Sequence, residues 1–138
     1  MNEIILFYSY GGNTEKIAKQ RAAETGAELF EVSDARHVST LAAYVKGSFR
    51  AMKRRTADAT PVTAELAGRK ITLMAPVWAG HPAPAMNNMI AALPKGCEVS
   101  LVLVSGSGRS AGSAAGTKAL VEARGCTVVG YEDIKAGN

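Results

Sequence analysis

The chain has 138 residues, 47% of them hydrophobic and 20% charged, with a formal net charge of +4. That balance excludes a disordered or collagen-like chain and suits one domain, residues 1–138, able to bury its own core. No apolar run approaches the ~20 residues of a membrane span, and MNEIILFY at the start has neither a basic segment nor a cleavage site, so a cytoplasmic protein is expected.

The first apolar run in chain order is Glu3–Tyr8. Ile4, Ile5, Leu6 and Phe7 are apolar on both faces, as in a strand covered from both sides. Ser9-Tyr10-Gly11-Gly12-Asn13-Thr14 then leads into a helix over Asn13–Thr25, which opens on an Asn/Thr cap and stops at Gly26. Ile17, Ala18 and Ala22 form its inner face. In the loop, glycines let successive amides converge and the helix N-terminus adds partial positive charge. Ser9, Asn13 and Thr14 contribute polar side chains. The combination suits a phosphate cradle. It equally suits a tight strand-to-helix turn that holds no ligand. No Gly-Lys-Ser/Thr follows, so this is not a Walker A loop.

Glu28–Val32 reads as a shorter strand. Leu41–Lys53 places Leu41, Tyr44, Val45, Ser48, Phe49 and Met52 on one side at helical spacing. Lys46, Arg50, Lys53, Arg54 and Arg55 form a basic cluster without aromatic neighbours. That is the pattern of a solvated helix face, and nucleic acid is not the expected partner. A polar link, Arg54–Pro61, precedes the third strand, Lys70–Val77. Pro76-Val77-Trp78-Ala79-Gly80 ends that strand with the only tryptophan of the chain. Its indole can stack on a flat ring or pack on the domain surface. His81 reads first as a solvated loop histidine, with proton exchange at a cofactor the lesser reading. A helix follows over Pro84–Leu93, with proline in its first turn.

Glu98–Val104 is the fourth strand, again apolar on both faces. Ser105-Gly106-Ser107-Gly108 opens a small, flexible loop that runs to Gly112. It can present amides to a polar ring edge or serve as a plain connection. Its glycine spacing is not the dinucleotide fingerprint. A helix over Ser113–Arg124 turns Thr117, Leu120 and Val121 inward, and Thr127–Tyr131 is the fifth strand. Cys97 and Cys126 make neither a disulfide framework nor a metal-binding spacing, and read as small buried hydrophobes. Strand and helix alternate throughout, which predicts an α/β doubly wound fold with a parallel sheet.

The three loops together resemble the flavodoxin-like family. Ser9–Thr14 is similar to its phosphate loop. Pro76–Gly80 is similar to the loop whose aromatic residue stacks on the isoalloxazine, and Ser105–Gly112 stands where a third loop holds the pyrimidine edge. The resemblance implies a five-stranded parallel sheet in the order 2-1-3-4-5, with helices on both faces and FMN at the switch point between strands one and three. The family is itself a standing instance of that placement rule. It further implies that Trp78 stacks on the flavin and that the peptide of Ala79 or Gly80 meets flavin N5. Four departures accompany it. Gly11 replaces a hydroxyl residue, the third loop lacks an aromatic, the protein is basic, and no residues remain for a helix after strand five.

The resemblance implies an FMN-binding electron-transfer protein working with a redox partner protein or a small acceptor. Two alternatives stand beside it: an FMN-dependent NAD(P)H/quinone-type oxidoreductase, and a flavin-free interaction module. Without a terminal helix, apolar residues of strands four and five, among them Leu101, Leu103, Val128 and Tyr131, are expected to face water. A homodimer covering that face is the corresponding expectation.

Overall fold

The computed structural model describes residues 2–33 and 59–136. In chain order the elements are β1 (Glu3–Phe7), α1 (Asn13–Thr25), β2 (Glu28–Glu31), β3 (Lys70–Trp78), β4 (His81–Pro82), α2 (Pro84–Ala91), β5 (Glu98–Ser105), α3 (Ala111–Ala123) and β6 (Thr127–Lys135). The strands lie in the order β2-β1-β3-β5-β6, all parallel, and the short β4 turns back antiparallel on the end of β3. With β4 set aside, this is the expected 2-1-3-4-5 sheet. Ile4 pairs with Ile71, and Ile71 with Val99, so the central strands are in step.

The sheet is covered on both faces, which explains why β1 and β5 carry no polar alternation. Ile4, Leu6, Leu73, Leu101 and Leu103 face one side, where Met86 and Met89 of α2 and Val121 of α3 pack on them. Ile5, Phe7, Met74, Val102 and Val104 face the other side, against Ala18, Ile17 and Ala22 of α1. The small residues of α1 permit its close approach. The helix ends at Gly26, whose φ of 77° is left-handed and whose amide returns to the Ala22 carbonyl.

One expectation falls outside the described residues and three need adjustment. The helix expected over Leu41–Lys53, and the basic cluster from Lys46 to Arg55, lie outside the described residues. α3 starts two residues earlier than read, at Ala111. The last strand runs to Lys135 instead of stopping at Tyr131. Glu132 and Asp133 look like turn residues in sequence, but an edge strand tolerates them because both find partners.

The third adjustment concerns the face expected to be bare. Leu101 and Leu103 are fully buried under the α2/α3 layer, and Val128 and Tyr131 are half-buried on that same side. The opposite face of β5 carries Val102 and Val104, each 2% exposed. Where α1 leaves off, the sheet turns polar, with Thr72, Ser100 and Glu132 on that side. Arg21 of α1 reaches over to Glu132 at 2.6 Å. A groove of about 440 Å³ remains there between α1 and β6, bounded by Ile5, Arg21, Thr72 and Ile134. Among the described residues Val129 is the one exposed large hydrophobic, so the premise behind the expected homodimer is removed.

Candidate functional site

Chain direction and register place three loops on one edge of the sheet. Phe7 pairs with Met74 and Met74 with Val102, so β1, β3 and β5 end side by side at their carboxyl ends. From β1 the chain goes to β2 on one side and to β3 on the other. The strand order therefore reverses between β1 and β3, which opens a crevice at that edge.

The loop after β1 is built on two left-handed glycines. Gly11 has φ +88° and Gly12 φ +97°, values that cost an L side chain about 1–2 kcal/mol. Gly12, not Asn13 or Thr14, is the N-cap, and it supplies no side-chain cap. Ser9 takes that role from outside the helix, its Oγ accepting the Glu15 amide at 3.1 Å. Among the described residues nothing accepts from the amides of Gly12, Asn13 and Thr14. Gly11, Gly12 and Asn13 are exposed, and a Cβ on either glycine would meet nothing within 4 Å. A helix N-terminus with free amides and an open approach suits an anion. Thr14 is buried and anchors the loop.

The second loop is a hairpin that the sequence reading missed. Trp78 pairs with His81, leaving Ala79 and Gly80 as a two-residue turn. Both have positive φ, 52° and 78°, as a type I′ turn requires. Pro76 and Val77 belong to β3 and are half-buried supports of the turn, while Ala79 and Gly80 are exposed at its tip. The Trp78 ring makes T-shaped contacts with Tyr10 at 5.5 Å and Tyr8 at 6.0 Å. Tyr10 thereby ties the first loop to the second. His81 sits in β4, part-exposed, with Nδ1 3.2 Å from the Ala79 carbonyl, so it braces the turn.

The third loop is ordered by its own serines. Ser105 Oγ accepts the Gly108 amide at 2.9 Å, and Ser107 Oγ accepts the Arg109 amide at 3.2 Å. Gly106 and Ser107 are exposed at the tip. β6 supports the loop from outside. Ala136 N–H donates to the Ser105 carbonyl at 2.7 Å, and Gly108 lies on the Lys135 main chain. At the base of the loop, Ser110 donates to Asp133, and its hydroxyl also meets the Tyr131 hydroxyl. Lys118 stands over the Tyr131 ring at 5.2 Å.

All the loop residues singled out in sequence thus stand at the carboxyl edge of the sheet. Sequence reasoning missed the residues behind them, Tyr8, His81 as a brace, Tyr131 and Asp133, and the contacts that Ser110 makes at the base of the third loop. No local pattern marks Asp133, whose partner Ser110 lies 23 positions away.

The same architecture occurs in solved structures. A flavoprotein from Lactobacillus acidophilus NCFM, in complex with FMN, matches with a TM-score of 0.78 and 20% identity, over 94% of this chain and 91% of that one. A Bacteroides eggerthii protein assigned as a flavoprotein matches with a TM-score of 0.77 and 15% identity, over 95% and 86%. Oxidised flavodoxin 1 from Bacillus cereus matches with a TM-score of 0.52 and 17% identity, over 100% and 88%. No family model and no curated protein matches the chain. At these identities the likeness shows the fold, which is flavodoxin-like. No described helix is long and apolar enough to cross a membrane.

Proposed function

We propose that the chain binds FMN at the carboxyl edge of its sheet and carries electrons. The observation that supports this best is the loop after β1, where Gly11, Gly12 and Asn13 are exposed and, among the described residues, no group accepts from the first amides of α1. A terminal phosphate is the part of FMN that such a loop suits. The solved relative that contains FMN shares the fold over nearly its whole length.

On this reading the amides of Gly11 to Thr14 hold the phosphate, and the Ser9 hydroxyl, which accepts from Glu15, has its own proton to donate to it. Gly11 offers no hydroxyl, so backbone amides carry more of the load. Trp78, fixed by Tyr8 and Tyr10, offers an apolar wall at the strand end. The exposed Ala79–Gly80 turn and the Ser105–Gly108 loop offer main-chain groups to polar ring edges. FMN supplies the electron chemistry, and the protein sets its orientation and solvent access.

Titration of the purified chain with FMN, followed through the fluorescence of its single tryptophan, tests the proposal. Saturable quenching with yellow colour retained after gel filtration is expected. A chain that stays colourless and unquenched in excess FMN overturns it.

The exposed Gly106 and Ser107 favour a second reading, a reductase, because their small side chains leave room for an acceptor beside the ring. Rapid NADH or NADPH oxidation by the FMN-loaded chain, dependent on an added quinone, selects that reading over a pure carrier.

A further inference from the structure

At the amino edge of the sheet, opposite the candidate site, the turn entering β5 and the turn entering β6 are fastened together. Gly96 N–H donates to the Gly125 carbonyl at 2.9 Å and Thr127 N–H to the Cys97 carbonyl at 2.9 Å. Arg124 Nη2 donates to the Leu93 carbonyl at 3.1 Å. Gly125, at φ +83°, lies so near Lys95 that a Cβ there would meet Lys95 Cγ at 3.2 Å.

This zipped pair of turns carries both cysteines of the chain. Glu98 is in register with Thr127, so Cys97 and Cys126 are neighbours one residue before the first paired position. Both side chains enter the same apolar cluster, 4% and 5% exposed, and both are free thiols. Neighbouring strands run about 4.7–4.9 Å apart, which falls inside the window of about 4.4–6.8 Å between the Cα atoms of a disulfide. Cys97 Sγ now donates to the Leu66 carbonyl at 3.8 Å and Cys126 Sγ to the Pro94 carbonyl at 3.0 Å. A thiol is a weak hydrogen-bond donor, so giving up either bond costs little.

We propose that Cys97 and Cys126 form a reversible dithiol–disulfide pair, closed by a small disulfide such as oxidised glutathione, that clips the amino ends of β5 and β6. One cysteine loses its proton and its sulfur attacks the small disulfide, releasing one small thiolate and leaving a mixed disulfide on the protein. The other cysteine, deprotonated in turn, attacks the protein sulfur of that mixed disulfide and releases the second small thiolate. Two protein thiols are oxidised, one small disulfide is reduced to two thiols, and the two protons end on the departing sulfurs. Burial pushes the Cys97 thiol up, and the adjacent Cys126 adds to the effect, so exchange accelerates with rising pH. The clip acts on β6, the edge strand, whose far end supports the third loop.

The test equilibrates the full chain with glutathione redox buffers, once under native conditions and once in concentrated urea, and reads the products by intact mass after acid quench. Adjacency in the fold predicts a native equilibrium constant for the intramolecular disulfide about tenfold or more above that in urea. The species is recognised by the loss of two hydrogens with no glutathione retained, reversed by dithiothreitol. Cys97→Ser and Cys126→Ser should each show at most one glutathione adduct and no two-hydrogen loss. A native constant equal to or below that in urea overturns the proposal, as do two glutathione adducts or covalent dimers as the oxidised product.

Discussion

Ser110 is bound by Asp133 through both its main chain and its side chain. The Ser110 amide donates to Asp133 Oδ2 at 3.1 Å and the Ser110 hydroxyl to Oδ1 at 2.6 Å. The hydroxyl has one proton, already given to Asp133, so the Tyr131 hydroxyl is the donor in its contact with Ser110 Oγ. Ser110 is the N-cap of α3 and receives no cap from its own side chain. A carboxylate on the next strand, β6, therefore holds the N-cap residue of α3 in place. It also complements the positive end of the helix dipole.

Removing that carboxylate leaves two donors on a residue that is 3% exposed. Asp133→Ala is expected to destabilise the chain by about 1–3 kcal/mol, the cost of stranding buried polar groups. Asp133→Asn keeps an acceptor and should lose less. Urea unfolding at constant m-value checks both, and a loss below half a kilocalorie for the alanine variant counts against the cap.

The Asp133 clamp also shows where sequence alone stops. The alternation of strands and helices, the parallel sheet and the three loops are all legible in runs such as Ile4–Phe7 and Leu101–Val104. Those same runs hide which side each residue faces, because both faces are apolar. That is why Leu101 and Leu103 read as candidates for a bare face when they are buried at the α2/α3 side. Residues 132–135 were illegible for the opposite reason. Their charges suggest a turn, and only the tertiary partners, Arg21 for Glu132 and Ser110 for Asp133, make a strand of them. Local pattern cannot reveal a partner 23 or 111 positions away.

Gly108 joins the third loop to β6 at close range. Its φ is +69°, and a Cβ would fall 3.1 Å from Lys135 Cβ and 3.3 Å from Lys135 Cα. Main-chain atoms cannot swing aside, so strain and overlap add. Gly108→Ala should cost about 1–3 kcal/mol and weaken FMN binding. Gly106→Ala, with no neighbour within 4 Å and no left-handed φ, is the matched control and should be nearly neutral in stability. Equal losses in the two variants would contradict the close approach.

Trp78 links stability and binding. Trp78→Ala removes two T-shaped ring contacts, each worth about 0.5–1.5 kcal/mol beyond the buried area. If the indole also forms the wall for a flavin, affinity should fall by about 1–3 kcal/mol, the range for aromatic stacking on a base. Trp78→Phe keeps a ring and should recover part of both. An FMN affinity unchanged in the alanine variant would place the flavin away from β3.

Cys97 predicts an alkaline limit to stability. Burial first, and the adjacent Cys126 second, raise its thiol above the ordinary 9.0. Between the unfolded and folded values the unfolded chain has lost its proton while the native chain has not. Stability conferred by this residue is therefore whole below pH 9.0 and declines as pH rises from there through the folded value. Cys97→Ser, measured under reducing conditions, should flatten that decline. An unaltered slope of unfolding free energy between neutral and strongly alkaline pH would assign the limit to other groups.

The turn between β3 and β4 gives a prediction of opposite sign at two adjacent residues. Both positions have left-handed φ, yet only Gly80 is a glycine, and Ala79 is the one non-glycine residue with positive φ among those described. A Cβ at Gly80 would meet nothing within 4 Å, so Gly80→Ala tests the backbone alone and should cost about 1–2 kcal/mol. At Ala79 that penalty is already present. Asparagine enters the left-handed region more readily, and Asn-Gly is the preferred pair for a type I′ turn. Ala79→Asn should therefore raise stability by a few tenths to about 1 kcal/mol. The His81 ring leans on the Ala79 carbonyl, not its side chain, so that brace survives the change. Thermal unfolding of the two variants against the parent should move the midpoint down for Gly80→Ala and up for Ala79→Asn. A fall in both would mean that the turn holds a geometry other than type I′, and that the main-chain groups at its tip are not aimed as the FMN reading requires.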